Sequence, residues 1–276
     1  MKIYEEILKE GTDCLTDAGI EEAALDAWYL FSYCTKMNRV TYLLNCKKEA
    51  EEVHYKEFQK CVRKRAERIP LQYIIGTQEF MGLVFQVNEQ VLIPRQDTEV
   101  LVEEVLKHCR GKHVLDMCTG SGCIIISLKK MGDIGNAVGV DISPGALETA
   151  KKNAEQNQVS VTFIISDLFQ AVDEKFDLIV ANPPYIETDV ISTLMPEVKE
   201  HEPLLALDGK EDGLYYYRRI AKEAPGYLKQ GGMIFFEIGY NQGRAVKNIL
   251  EESGFERVSV IGDLASLDRV VFGFLR

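Results

Sequence analysis

The chain reads as an α/β protein: a Rossmann-like, mostly parallel sheet of seven strands with one antiparallel member, preceded by a small all-α domain and a β-hairpin linker. Three observations carry this. From about residue 112 onward, short apolar runs alternate with amphipathic stretches, the pattern of strands joined by helices over a parallel sheet. The last two apolar runs have no helix between them, which makes one strand antiparallel. Residues 1–69 show helical periodicity and almost no strand signal.

The elements follow in order. Ile3, Ile7 and Leu8 form one helical stripe. Ala23, Ala24, Ala27, Leu30 and Phe31 form another, opened by Glu21 and Glu22, which suit a helix N-terminus. A third helix is expected from Lys48 to Arg68, with Val53, Phe58, Cys61 and Val62 inward, ended by Pro70. Its Arg63-Lys64-Arg65 and Arg68 read as a solvated face, and Trp28 as packing for the bundle. Residues 70–95 form the linker, with Gly82 at the turn of a hairpin. Pro94 stops the second strand, and Asp97 or Thr98 caps the next helix. Residues 96–276 form the third region. Its strands are expected at 114–117, 137–140, 161–165, 176–181, 233–238, 257–261 and 270–274. Helices fill the gaps at 122–130, 144–157, 213–229 and 243–253, and a long loop follows the fourth strand.

Composition narrows the function. The 276 residues are 46% hydrophobic and 27% charged, as in ordinary globular proteins. No apolar run is long enough to span a membrane, and the N-terminus lacks the apolar core of a signal peptide. Seven cysteines, an odd number with no C-x-x-C pair, read as reduced thiols. With four scattered His, no metal site is expected. These features predict a cytoplasmic protein, and with no oligomer signal a monomer is the expectation. The formal net charge of −11 argues against broad binding to a phosphate backbone.

The chemistry sits at strand ends. Asn182-Pro183-Pro184-Tyr185 closes the fourth strand. The two prolines stiffen it and donate no N–H, so the segment presents acceptors: the Asn182 side-chain oxygen and the Pro183 carbonyl. Tyr185 adds a flat face. Such a clamp suits a planar NH₂ group. Its bland alternative is a proline-rich turn. Asp116-Met117-Cys118-Thr119-Gly120-Ser121-Gly122 turns the first strand into its helix. It lacks the third glycine of a dinucleotide loop and the Lys-Ser/Thr of a P-loop. Asp141, followed by Ile142, ends the second strand and can accept from ribose hydroxyls, or merely cap a helix. Asp167 ends the third and can accept from an adenine amino group, with Leu168 packing on the ring. Acids at three successive strand ends suit a neutral nucleoside with a cationic tail, S-adenosyl-L-methionine (AdoMet), better than NAD or ATP.

Together these motifs resemble class I AdoMet-dependent methyltransferases acting on planar nitrogen. Pro70 to Gly76, Leu92 to Glu99, Glu202-Pro203, Asp212-Gly213-Leu214 and Asp263 to Val270 narrow the resemblance to the glutamine methyltransferases of peptide chain release factors (the PrmC/HemK family). The resemblance covers nearly the whole chain. It implies AdoMet as methyl donor, S-adenosyl-L-homocysteine as product, and the glutamine of the Gly-Gly-Gln loop of bacterial class I release factors as substrate. It places Asp116, Met117, Cys118, Thr119, Gly120, Gly122, Asp141, Ile142, Asp167, Leu168 and Asn182 around the cofactor. It gives Asn182, Pro183, Pro184 and Tyr185 to the substrate glutamine, with Asn182, Pro183 and Tyr185 as the catalytic set. The helical domain would dock the release factor. Two departures stand out: Cys118 and Ser266 occupy positions where the family commonly has Gly.

Three further groups have structural readings. Glu237 ends the fifth strand, Arg95 with Asp97 reads as a structural ion pair rather than as shaping the substrate mouth, and Tyr215 to Tyr217 read as packing a helix rather than binding a base. Two other functions share parts of the pattern: a nucleic-acid (adenine or guanine) N-methyltransferase with the same clamp, and a non-catalytic binding protein on the same scaffold.

Overall fold

The computed structural model describes residues 2–276. The first helices are α1 (Tyr4–Asp17), α2 (Ala23–Thr35), α3 (Arg39–Asn45), α4 (Glu52–Ala66) and α5 (Leu71–Ile75). The hairpin β1 (Thr77–Phe80) and β2 (Leu83–Gln86) precedes α6 (Asp97–Leu106). Then come β3 (Val114–Met117), α7 (Cys123–Met131), β4 (Ala137–Asp141), α8 (Pro144–Gln156), β5 (Thr162–Ile165) and β6 (Phe176–Ala181). Three short helices follow: α9 (Thr188–Ile191), α10 (Pro196–Lys199) and α11 (Leu204–Leu207). The chain closes with α12 (Tyr215–Tyr227), β7 (Leu228–Glu237), α13 (Gly243–Glu252), β8 (Phe255–Gly262) and β9 (Asp268–Leu275).

Two compact units result: one holds the chain up to Gly76 together with Met195–His201, the other holds Thr77–Leu194 and Glu202–Arg276. In the first unit, Tyr4, Ile7, Gly11 and Leu15 recur every three or four residues and bury one face of α1. Gly11 is obligatory there, because a Cβ would stand 2.4 Å from the Phe58 ring of α4. Phe31 and Trp28 fill the centre as expected. Four expectations need correction. Ala24 and Val53 point outward, because the buried arcs of α2 and α4 are narrower than the apolar stripes. Helix α4 is shorter than Lys48–Arg68, and Pro70 opens α5 instead of ending α4, its fixed φ suiting a helix start. Helix α3 was unanticipated. The basic cluster is not simply a solvated face: buried Arg65 pairs with Asp26 at 2.7 Å and with Glu197 at 2.9 Å, and Arg68 reaches Glu197 at 2.8 Å.

The second unit is a seven-stranded sheet in the order β5-β4-β3-β6-β7-β9-β8. Strands β3 to β7 run parallel, and β9 is antiparallel to both β7 and β8. Alternation along the strands sorts the core. Leu115, Met117 and Ile179 face one layer with α12 and α13; Val114, Leu178 and Val180 face the other with α6 and α7. Strands so covered need apolar residues at every position, which is why they stand out in the sequence. The hairpin turns on Met81 and Gly82, both at positive φ (50° and 68°), as a type I′ turn requires. Helix α6 starts at Asp97 with Gln96 at its N-cap position and no side-chain cap, so neither Asp97 nor Thr98 caps it; Thr98 turns inward. Strand β7 begins at Leu228, earlier than expected, and α12 is correspondingly shorter. The supposed loop after β6 contains α9 to α11.

Chain order reverses between β3 and β6: β4 and β5 lie on one side, β7 to β9 on the other. A sheet of this kind opens a ligand crevice at the carboxyl ends of the strands flanking the reversal.

Candidate active site

A cavity of about 300 Å³ occupies that crevice. The β3–α7 turn forms its floor. Cys118 adopts the left-handed conformation (φ 62°), and so do Gly120 (φ 55°) and Gly122 (φ 79°). The space beside Gly120 is open, which leaves its backbone bare toward the cavity. Gly122 does a different job: a Cβ there would meet Ile126 Cδ1 at 2.8 Å and Ala150 Cβ at 3.2 Å, so its absence lets α7 and α8 approach. Asn153 of α8 donates to the Ser121 carbonyl at 2.9 Å and anchors the turn from behind.

Asp141 organises this loop. Its Oδ2 accepts from the Gly120 N–H at 2.8 Å, and its Oδ1 from the Ser143 N–H at 2.9 Å. Burial nonetheless raises its carboxyl above the usual range. Each oxygen retains a lone pair for a ligand hydroxyl. Asp116 is fully buried behind the turn and accepts from Thr119 Oγ1 at 2.6 Å. Burial pushes it up to about 7. Asp167 lies on the wall, held by the two terminal guanidinium nitrogens of Arg219 at 3.0 and 3.3 Å. Leu168 lies beside it, buried at φ 51°.

The Asn182–Tyr185 segment leaves β6 on the opposite wall. Asn182 and Pro184 face the cavity. Pro183 is buried, and Tyr185 stands behind, its hydroxyl 3.4 Å from Glu237 Oε1. Gln242 Nε2 donates to the Tyr185 carbonyl at 3.1 Å and to the Gly213 carbonyl at 3.3 Å. Gly213 has no room for a side chain, since a Cβ would lie 2.4 Å from the Tyr185 carbonyl oxygen. The clamp is thus braced from behind.

Of the residues singled out in the sequence, the wall brings together Met117, Cys118, Thr119, Gly120, Asp141, Ile142, Asp167, Leu168, Asn182 and Pro184. Asp116, Gly122, Pro183 and Tyr185 support it from outside. Sequence reasoning missed Thr98 and Tyr216, both on the wall. The sequence groups Tyr216 with its neighbours as helix packing, but of the three only Tyr217 is fully buried, and the 3.6-residue period turns Tyr216 toward the crevice. Arg95 pairs with Glu202 at 2.5 Å, not with Asp97, which reaches Arg269 at 3.3 Å. Sequence adjacency had suggested a partner that the start of α6 directs elsewhere.

The wall fits AdoMet. The Asp141 and Asp167 carboxylates supply acceptors for hydroxyl and amino groups, Leu168 and Ile142 supply apolar faces for a planar ring, and Gly120 is bare. Among the described residues lining the cavity, Arg95 is the one Lys or Arg, and it is already paired, so nothing recommends a polyphosphate. Among all the described residues, no group of three or more His, Cys, Asp or Glu side chains is arranged to hold a metal, and no helix is long and apolar enough to cross a membrane. Sheet topology and wall chemistry therefore define an AdoMet-dependent methyltransferase of the α/β class.

Comparison with known proteins narrows this. The PrmC N-terminal domain family matches residues 6–76, and the methyltransferase small domain family matches residues 95–200. A release factor glutamine methyltransferase of Geobacter sulfurreducens is 44% identical over 263 residues, covering 94% of this chain and 92% of that protein. One from Clostridium acetobutylicum is 40% identical and covers 98% of both. Among solved structures, a Pyrococcus furiosus methyltransferase aligns with a TM-score of 0.53 over 71% of this chain and 90% of its own, at 17% identity. The Thermus thermophilus 16S rRNA N2 G1207 methyltransferase in complex with AdoMet and guanosine gives 0.53 over 72% of this chain and 50% of its own, at 21% identity. These two show the shared fold. The chain belongs to the release factor glutamine methyltransferase family.

Proposed function

We propose that this chain methylates the side-chain amide nitrogen, N5, of the glutamine in the Gly-Gly-Gln motif of class I peptide chain release factors. The observation that carries this reading is the Asn182–Tyr185 clamp on the wall of a cavity suited to AdoMet. When bound, AdoMet supplies an electrophilic methyl group on a sulfonium. The β3–α7 turn, Asp141, Ile142, Asp167 and Leu168 hold it, with Asp116 fixing the turn through Thr119.

An amide nitrogen is a poor nucleophile because its lone pair is delocalised. Asn182 Oδ1 and the Pro183 carbonyl accept its two hydrogens, which orients the nitrogen and favours positive charge developing there. Tyr185 braces the clamp from behind, through Glu237 and Gln242. The nitrogen then loses a proton, which an N-alkylated amide cation releases readily to water. Catalysis rests on positioning and electrostatics. The helical unit serves as the docking surface for the release factor. A formal net charge of −11 supports a protein substrate over a nucleic acid. Work on release factors fits a monomeric, cytoplasmic enzyme.

The test is methyl transfer from labelled AdoMet to a purified release factor, its Gly-Gly-Ala variant, and a panel of DNA and RNA. Label on the release factor alone, lost in the variant, is the expected result. Label on nucleic acid would replace the substrate while leaving the chemistry.

A further inference from the structure

We infer that Thr98 and Glu237 form a polar relay that fixes which end of the Asn182 amide faces the cavity, making both positioning residues for an amide substrate. The inference rests on the acceptor role given to Asn182 above.

The two ends of an Asn side chain have nearly the same shape and opposite polarity. Only the oxygen can hold a substrate NH₂; the Nδ2 end would set donor against donor. Asn182 Nδ2 lies 3.4 Å from Thr98 Oγ1. A threonine hydroxyl has one proton, so where that proton goes decides what its lone pairs can receive. Thr98 is 2% exposed, in the first turn of α6. Its neighbour is the Glu237 carboxyl at the end of β7, 1% exposed, near enough for the Thr98 hydroxyl to favour its ionised form, with its Oε2 free to receive the Thr98 proton. An ionised carboxylate only accepts. It therefore draws the Thr98 proton, turns the Thr98 lone pairs toward Asn182 Nδ2, and leaves Asn182 Oδ1 facing the cavity.

The same carboxylate accepts from the Tyr185 hydroxyl at Oε1, 3.4 Å away. Glu237 thus reaches both ends of the clamp, while its Oε2 has no close, well-aligned partner. Both 3.4 Å contacts are long, as catalytic contacts often are before substrate tightens them. Arg269 of β9 supplies opposing charge but is shared with Asp97 at 3.3 Å and Asp263 at 3.0 Å. Cys123 of α7 is a buried neutral thiol. Tyr217 of α12 donates to the Glu237 backbone carbonyl at 2.8 Å, leaving the carboxyl untouched.

Protonating Glu237 converts an acceptor into a donor and releases the relay. Burial pushes this carboxyl up to about 7, so the switch falls within an accessible pH range. Activity should be present above that pH and lost as pH falls through it.

The experiment uses the full chain with a release factor substrate and compares Thr98→Val, Thr98→Ser, Glu237→Gln and Asn182→Ala. Readouts are kcat, KM, AdoMet binding, and kcat against pH from about 5.5 to about 9. Valine keeps the shape of Thr98 without the hydroxyl and should lower kcat by roughly 10- to 100-fold, with AdoMet affinity changed less than about threefold. Serine should restore kcat to within about threefold of the parent. Glutamine at 237 still presents an oxygen but cannot titrate, so the acid limb of the profile should vanish. Near-parental kcat in folded Thr98→Val, with Asn182→Ala inactive, overturns the relay and spares the clamp. An acid limb that persists in Glu237→Gln overturns it independently, even if Thr98→Val fails to fold. Normal turnover in Asn182→Ala overturns the clamp reading and the relay together.

Discussion

Cys118 and Ser266, two residues with side chains at positive φ, share a backbone state. Both lie in the left-handed region, at φ 62° and 61°. Glycine occupies it freely, whereas a residue with a Cβ gives up roughly 1 kcal/mol. Cys118 tolerates this because its side chain packs half-buried against the core, where burial keeps the thiol neutral. Cys118→Gly should therefore change stability by less than about 1 kcal/mol, the relief of strain offsetting the greater freedom of the unfolded chain. Cys118→Val should cost about 2 kcal/mol or more, since a β-branched residue at positive φ is an outlier. Denaturant titration of both variants checks this, and a harmless valine would show that the turn is not so constrained. Residues of this kind were legible because their chemistry is local: Asn182 to Tyr185 and the G-x-G turn declare themselves by composition. Thr98, Tyr216 and the Glu237 contacts did not, because their meaning comes from strands and helices meeting far from them in sequence.

At the scale of elements, glycines mark where two pieces of backbone must meet. Gly122→Ala would press a Cβ onto Ile126 and Ala150 at a positive φ. It should cost about 2–3 kcal/mol by combining overpacking with backbone strain, read as a lower denaturation midpoint. Gly213→Ala would push against the Tyr185 carbonyl, 2.4 Å from the new atom. Displacing the clamp by a fraction of an ångström should lower kcat by roughly 10- to 100-fold while AdoMet binding persists. Unchanged kcat in a folded Gly213→Ala enzyme would deny that the loop braces the clamp. The central strands were readable because they are covered on both faces and cannot alternate with polar residues. Helices α9 to α11, each of four residues, were not, since one turn displays no periodicity. Helix α3 was hidden for another reason: its Val40, Leu43 and Leu44 are exposed, so it lacks the buried stripe that identifies a helix.

The whole molecule carries two fully buried acids whose carboxyls sit at about 7, Asp116 and Glu237, both through burial. Their unfolded values lie near 4, so between about pH 5 and pH 7 the folded chain binds more protons than the unfolded one. Stability should fall as pH rises through this window, by up to about 3 kcal/mol for each group. Asp141 and Glu202, also raised by burial, act in the same direction. Urea midpoints should thus be higher near pH 5 than near pH 7, and Glu237→Gln should flatten the slope; a midpoint rising with pH would contradict this accounting. The fold retains these acids at a cost in stability, which places their value in the site. Under the proposed function Asn182, on the cavity wall beside the cofactor residues, acts chiefly on the amide nitrogen. The most direct measurement of that role is single-turnover methyl transfer by Asn182→Ala on a release factor, with AdoMet affinity measured on the same sample. The rate should be at least about 100-fold lower, with affinity within a few fold of the parent. Near-normal turnover with AdoMet bound would contradict it.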